Sequence, residues 1–153
     1  MNFRATLAVF FGGLIGGVLR FAVSNVVFAH SESIPWGTWI VNLLGSFALA
    51  ITVILIERIG TKDWQRHGVT IGLIGGFTTF STFTEQLITL AQSAPAMALL
   101  YASISILGGV LGALSGELLG RGLVNRWDGK SPLSFATVTQ LEFEGVDLKE
   151  GDS

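Results

Sequence analysis

The chain contains no cysteine, little charge, and no lysine or arginine in two of its connecting segments, and each absence narrows what it can be. Without cysteine, disulfides, thiolate metal sites and thiol nucleophiles are excluded together, and thiol chemistry says nothing about the compartment. Charged residues make up 13% of the 153, against 50% hydrophobic, and mean hydropathy is +0.62. Those values lie outside the range of soluble globular chains and read as a membrane protein, of one domain at this length. The two histidines, His30 and His67, flank helices at loops and form no metal pair or triad. With no ATP-binding motif either, nothing in the chain points to an enzyme.

What is present is four apolar spans, at about residues 5–29, 36–56, 69–91 and 96–119. At about 1.5 Å rise per residue, each reaches across a hydrocarbon core roughly 30 Å thick. The first continues past Arg20 with no small-residue cleavage site, which argues against a signal peptide. The connections HSESIP and QSAP are short, so neighbouring helices run antiparallel and the expected fold is an all-α, four-helix membrane bundle over residues 1–123. Residues 124–153 differ in kind. From Arg126 onward three bases face six acids (Asp128, Glu142, Glu144, Asp147, Glu150 and Asp152) and no run is long enough to span. An acidic, mobile aqueous tail is expected there.

The cations are distributed unevenly. Arg4, Arg58, Lys62, Arg66, Arg121, Arg126 and Lys130 fall on one side of the membrane, and HSESIP and QSAP supply none on the other. The positive-inside rule places both termini in the cytoplasm, with the chain multi-pass in the cell inner (plasma) membrane.

Glycines recur as Gly12, Gly13, Gly16 and Gly17 in the first span, and as Gly108, Gly112, Gly116 and Gly120 in the fourth. Such faces let membrane helices approach closely; the spacing suits contacts within one subunit and contacts between subunits equally. In the second span Thr38, Asn42 and Ser46 share one helix face, and in the fourth Tyr101 and Ser105 do the same. An amide in hydrocarbon needs a partner. The file is consistent with an interhelical hydrogen bond or with a hydrated track.

The third span is interrupted by GGFTTFSTF, residues 75–83. Gly75 and Gly76 weaken a helix, and the β-branched pair Thr78 and Thr79 adds little support, so a break at residues 75–79 is expected. Carbonyls freed at membrane depth must find protein, water or an ion, and backbone oxygens suit a hard cation such as sodium. Phe80 and Phe83 lie on one side of the resumed helix. They are packing residues, or they present positive ring edges to an anion beside the polar file.

Three motifs in order, GGLIGGVLRF (residues 12–21), WGTWIVNLLGSF (residues 36–47) and GGFTTFSTF, make the sequence resemble the bacterial fluoride channel family, known as Fluc or CrcB, over about residues 3 to 123. The resemblance implies an antiparallel, dual-topology-type dimer of four-helix subunits with two pores along the interface, passively exporting cytoplasmic fluoride. Gly75 and Thr78 then offer backbone carbonyls to a structural Na+ at the dimer centre. Phe80, Phe83 and Asn42 fall on pore positions, with Thr38 as polar neighbour, and Tyr101 and Ser105 begin a polar track on the fourth helix. Arg20 would attract anions in an aqueous vestibule. The chain departs from the pattern at Gln86, where family members often carry glutamate, the acid here being Glu85, and at Gly109, where relatives can carry another serine. The implied partners are fluoride, the lipid bilayer and a second subunit, with no nucleic acid. That subunit is this same chain or, given the one-sided cations, a paralogue of opposite topology. Two alternatives remain at this point: a small-multidrug-resistance-type proton/cation exporter, which needs an acid absent from the first helix, and a membrane scaffold subunit, which leaves the polar file unexplained.

Overall fold

The computed structural model describes residues 2–27 and 34–129. Helix α1 (Phe3–Phe21) continues as a π-helical stretch, Ala22–Val27, and α2 is Trp36–Ile59. A short α3 (Asp63–His67) leads through a second π-helical stretch, Gly68–Ile74, into one turn of α4 (Gly75–Phe77). Residues 78–80 leave the helical path, and α5 (Ser81–Ser93) and α6 (Pro95–Trp127) follow. The ends are set locally. Asn2 caps α1 by accepting from the Ala5 N–H at 3.0 Å, Gly60 closes α2 at φ 71° where only glycine is unstrained, and Pro95 opens α6 where no N–H partner is needed.

Three helical stretches are long and apolar enough to cross a bilayer, spanning 23, 24 and 33 residues. The chain is a membrane protein, and its packing is correspondingly inverted. Among the described residues the buried apolar set is only Ala5, Val41, Ile74, Ala98 and Tyr101, while Phe10, Phe11, Val18, Leu107, Leu111 and Leu118 face outward. Lipid tails are as apolar as leucine, so close backbone packing replaces hydrophobic burial in holding the helices together.

Two glycine contacts supply that packing. α1 lies against the stretch 68–77: a Cβ on Gly16 would come within 2.7 Å of Phe77 N, and one on Gly76 within 2.7 Å of Gly13 O. α2 lies against α6, where Gly108 faces the Trp39 indole, Gly112 faces Leu43, Gly116 faces the Phe47 carbonyl and Gly120 faces Ile54. The glycine stripe of α6 is therefore a contact within the subunit. Trp39 Nε1 adds an interhelical hydrogen bond to Ile104 O at 3.0 Å. α5 packs on α6, so the chain crosses from the α1 side of the subunit to the α6 side at residues 78–80.

Several boundaries differ from those drawn from hydropathy. α6 runs to Trp127, so the division after residue 123 falls inside a helix; the apolar run ends earlier, but nothing breaks the backbone pattern until Gly129 at φ 68°. Arg58 pairs with Asp128 and ties this extension to the last turn of α2. Helix also begins at Asp63, ahead of the third apolar span, and His67 is its last residue, with Nδ1 2.6 Å from Asp63 O. Gly75 and Gly76 stay helical, and the interruption falls after them. The missing side chain of Gly76 serves close approach to Gly13 of α1, and the chain unwinds only at Thr78, which is extended at φ −76°, ψ 161°. Residues 28–29, His30 and most of the connection after it, and the tail from residue 130 onward, lie outside the described residues.

Candidate functional site: a cavity and a groove meeting at a helix interruption

The interruption frees backbone groups, and Asn42 takes two of them. Its Nδ2 donates to Thr79 O at 2.9 Å and its Oδ1 accepts from the Thr79 N–H at 2.9 Å. The side-chain amide thus pairs with a main-chain amide as a neighbouring strand would, at a place where helical bonding fails. Thr79 Oγ1 in turn accepts from the Thr82 N–H at 3.2 Å, satisfying one of the free donors at the start of the resumed helix, and lies 3.1 Å from Thr82 Oγ1 and 3.3 Å from Ser81 Oγ. Thr78 closes the incoming helix with both its N–H and its hydroxyl on Ile74 O, at 3.0 and 3.1 Å.

A cavity of about 980 Å³ lies on one side of the interruption, between α1 with its π-helical extension and α5. Arg20, Ser24 and Asn25 line one wall, Thr82, Glu85, Gln86 and Thr89 the other, and Thr38 and Thr79 lie at the α2 side. On the other side a groove of about 490 Å³ is lined by Asn42, Ser46, Thr70, Gly75, Thr78, Thr79 and Phe80. Thr79 borders both. The file Thr38, Asn42, Ser46 therefore runs from cavity to groove, with Asn42 holding the chain where the two spaces come closest.

Aromatic rings accompany the file. Phe80 is 79% exposed, and its ring centroid lies 6.0 Å from that of Phe83, which lies 5.3 Å from that of Tyr101. Tyr101 is fully buried and donates its hydroxyl to Gln86 Oε1 at 3.0 Å, with Thr38 at the same hydroxyl. Ser105 instead donates to the Tyr101 carbonyl at 2.6 Å, one turn back on its own helix.

The structure thus gathers Thr38, Asn42, Phe80, Phe83, Gln86 and Tyr101 around one place and puts Gly75 and Thr78 on the groove side of it. Arg20 and Glu85 line the cavity. Reading the sequence missed Thr79, Thr82 and Thr89 as lining residues. The signal was available in the run of hydroxyls after Gly76, because five of the eight residues from Thr78 to Glu85 are Ser or Thr in an otherwise apolar span.

A bundle of apolar helices with a polar file beside an interruption is the architecture of an integral membrane protein. Residues 7–117 match the family described as CrcB-like protein, Camphor Resistance (CrcB), and the chain belongs to that family. It is 42% identical over 115 residues to the "Fluoride-specific ion channel FluC 2" of Ligilactobacillus salivarius, covering 74% of this chain and 83% of the relative. It is 40% identical over 121 residues to the "Fluoride-specific ion channel FluC" of Thermotoga petrophila, covering 77% and 95%. Against the "Fluoride-specific ion channel FluC 1" of Yersinia pseudotuberculosis it is 39% identical over 127 residues, covering 82% and 97%.

Proposed function

We propose that this chain is a fluoride-specific channel subunit that lets cytoplasmic fluoride leave down its electrochemical gradient and so reduces fluoride toxicity. The observation that carries the reading is the polar file crossing the interruption beside Phe80 and Phe83, with relatives named as fluoride channels over the same residues. Hydrogen fluoride crosses lipid when neutral and releases its anion in a near-neutral cytoplasm, where the charge traps it. A passive path suffices to empty it, aided by a negative-inside potential of about 2.3 kcal/mol per charge per 100 mV. Hydroxyls and the Asn42 amide replace part of the hydration shell, and phenylalanine ring edges offer weak positive potential without binding the ion too tightly to leave.

Phe80, exposed on the isolated subunit, and the open groove beside it support an assembly of two subunits, antiparallel, with the third span of each crossing at the interface. Gly75 and Thr78 would hold a structural sodium ion there. The donors fit: they are neutral backbone oxygens with no acid among them, the Gly75 carbonyl accepts only a long 3.5 Å contact from Thr78 Oγ1, and Thr78 is extended rather than helical. Bound sodium would supply a fixed positive charge that ties the two interruptions together. The one-sided cations support a cytoplasmic side for both termini and favour a paralogue of opposite topology as the second subunit.

The reading is tested by producing the chain, alone and with such a paralogue, in a bacterium stripped of its own fluoride exporter. Growth restored in millimolar fluoride, and lost again with Phe80→Ile, is the expected outcome. Growth that stays arrested in both settings contradicts it.

A further inference from the structure

The cavity holds two opposite charges that do not neutralise one another by contact. Arg20 stands on the α1 wall and Glu85 on the α5 wall, and among the described residues neither forms an ion pair or side-chain hydrogen bond. This contrasts with Arg58 and Arg121, which pair with Asp128 and Glu117. Glu85 is exposed, and its backbone carbonyl accepts from Thr89 Oγ1 at 3.0 Å, which places Thr89 one turn further along the same wall. In a cleft with low-dielectric walls, charges along the lining act on the local concentration of ions more strongly than charges on an open surface.

We infer that Glu85 is a rate-setting residue of the cavity, opposing the attraction of Arg20 for anions and holding down the flux that the path behind it would carry. The carboxylate raises the energy of an anion on its way to Thr38 and Thr79, and it does so through space. Its effect is therefore screened when the Debye length falls from about 30 Å at 0.01 M to about 3 Å at 1 M salt. A residue that merely packs has no such salt dependence.

The inference rests on the proposed channel for its effect on flux, but the cavity potential is measurable without conduction. Because the chain has no cysteine, Thr89→Cys introduces the sole thiol, and its modification rates by an anionic and a cationic methanethiosulfonate report the local potential. In purified full-length protein, adding Glu85→Gln is expected to raise the anionic-to-cationic rate ratio by about threefold or more in 10 mM salt and leave it nearly unchanged in 1 M. Adding Arg20→Gln is expected to lower the ratio. Glu85→Asp retains the parent value. A ratio indifferent to Glu85→Gln at 10 mM salt, or a change that persists at 1 M, overturns the inference. Where the parent protein conducts fluoride, Glu85→Gln is expected to conduct faster at low ionic strength only. A conducting parent with an unchanged thiol ratio sinks the role of Glu85 alone, whereas a shifted ratio in a silent parent leaves only the effect of Glu85 on the cavity potential and overturns its role in flux together with the channel.

Discussion

Asn42 shows how much one side chain can determine in a membrane. Both ends of its amide bond the Thr79 backbone at 2.9 Å, so the residue replaces a missing piece of helix. Asn42→Ala strands a donor and an acceptor in a partly buried place, and each unsatisfied group costs about 1–3 kcal/mol. The expected result is a loss of about 2–4 kcal/mol in unfolding free energy in detergent, together with faster amide exchange at Thr79. Unchanged exchange at Thr79 in the alanine variant would show that the pairing does not hold in solution. Sequence spacing revealed that Thr38, Asn42 and Ser46 share a face, but the partner of the amide lies 37 residues away. Periodicity within one helix carries no information about what stands opposite.

At the scale of helices, backbone contact decides stability, which gives paired glycines different tolerances. A Cβ on Gly16 would press into the backbone around Leu73 and Phe77, whereas one on Gly17 meets nothing within 4 Å. Gly16→Ala is therefore expected to separate α1 from the stretch 68–77 and to lower the yield of monodisperse protein severely. Gly17→Ala should stay within about 0.5 kcal/mol of the parent, since surface changes away from packing contacts do little. Thermal denaturation of the two variants side by side checks this, and equal midpoints would contradict it. Helix positions were largely legible because apolar runs are long and the connections short. The third span was legible as a weak point, yet Gly76 is a packing residue against α1 and Gly75 stays helical, and the chain leaves the helix two residues past Gly76, at Thr78. Glycine signals both loosening and close approach, and only the neighbour tells which.

For the molecule as a whole, orientation and partner are linked. Cations crowd one side, so the chain should insert one way. Since no native thiol interferes, Lys62→Cys and Ser93→Cys report opposite faces: an impermeant maleimide on intact cells should label the second and spare the first. Equal labelling of both would mean that one sequence inserts in both directions, and an antiparallel pair of identical chains would follow. The four-residue glycine stripe of α6 illustrates why assembly was less legible than fold. Its spacing fits a subunit interface, and its actual neighbour is α2 of the same chain. What remains outward and unaccounted for within the subunit is Phe80 and the groove beside it.

The claim that binds these scales is that the interruption forms a path for fluoride. The most direct measurement loads liposomes containing the purified protein with fluoride and chloride, adds valinomycin to release the potassium counter-charge, and follows external fluoride with an electrode. Fast fluoride efflux with chloride retained, abolished by Phe80→Ile in protein that stays folded, is the predicted result. An equally fast efflux of chloride, or fluoride flux indifferent to Phe80→Ile, would contradict the account.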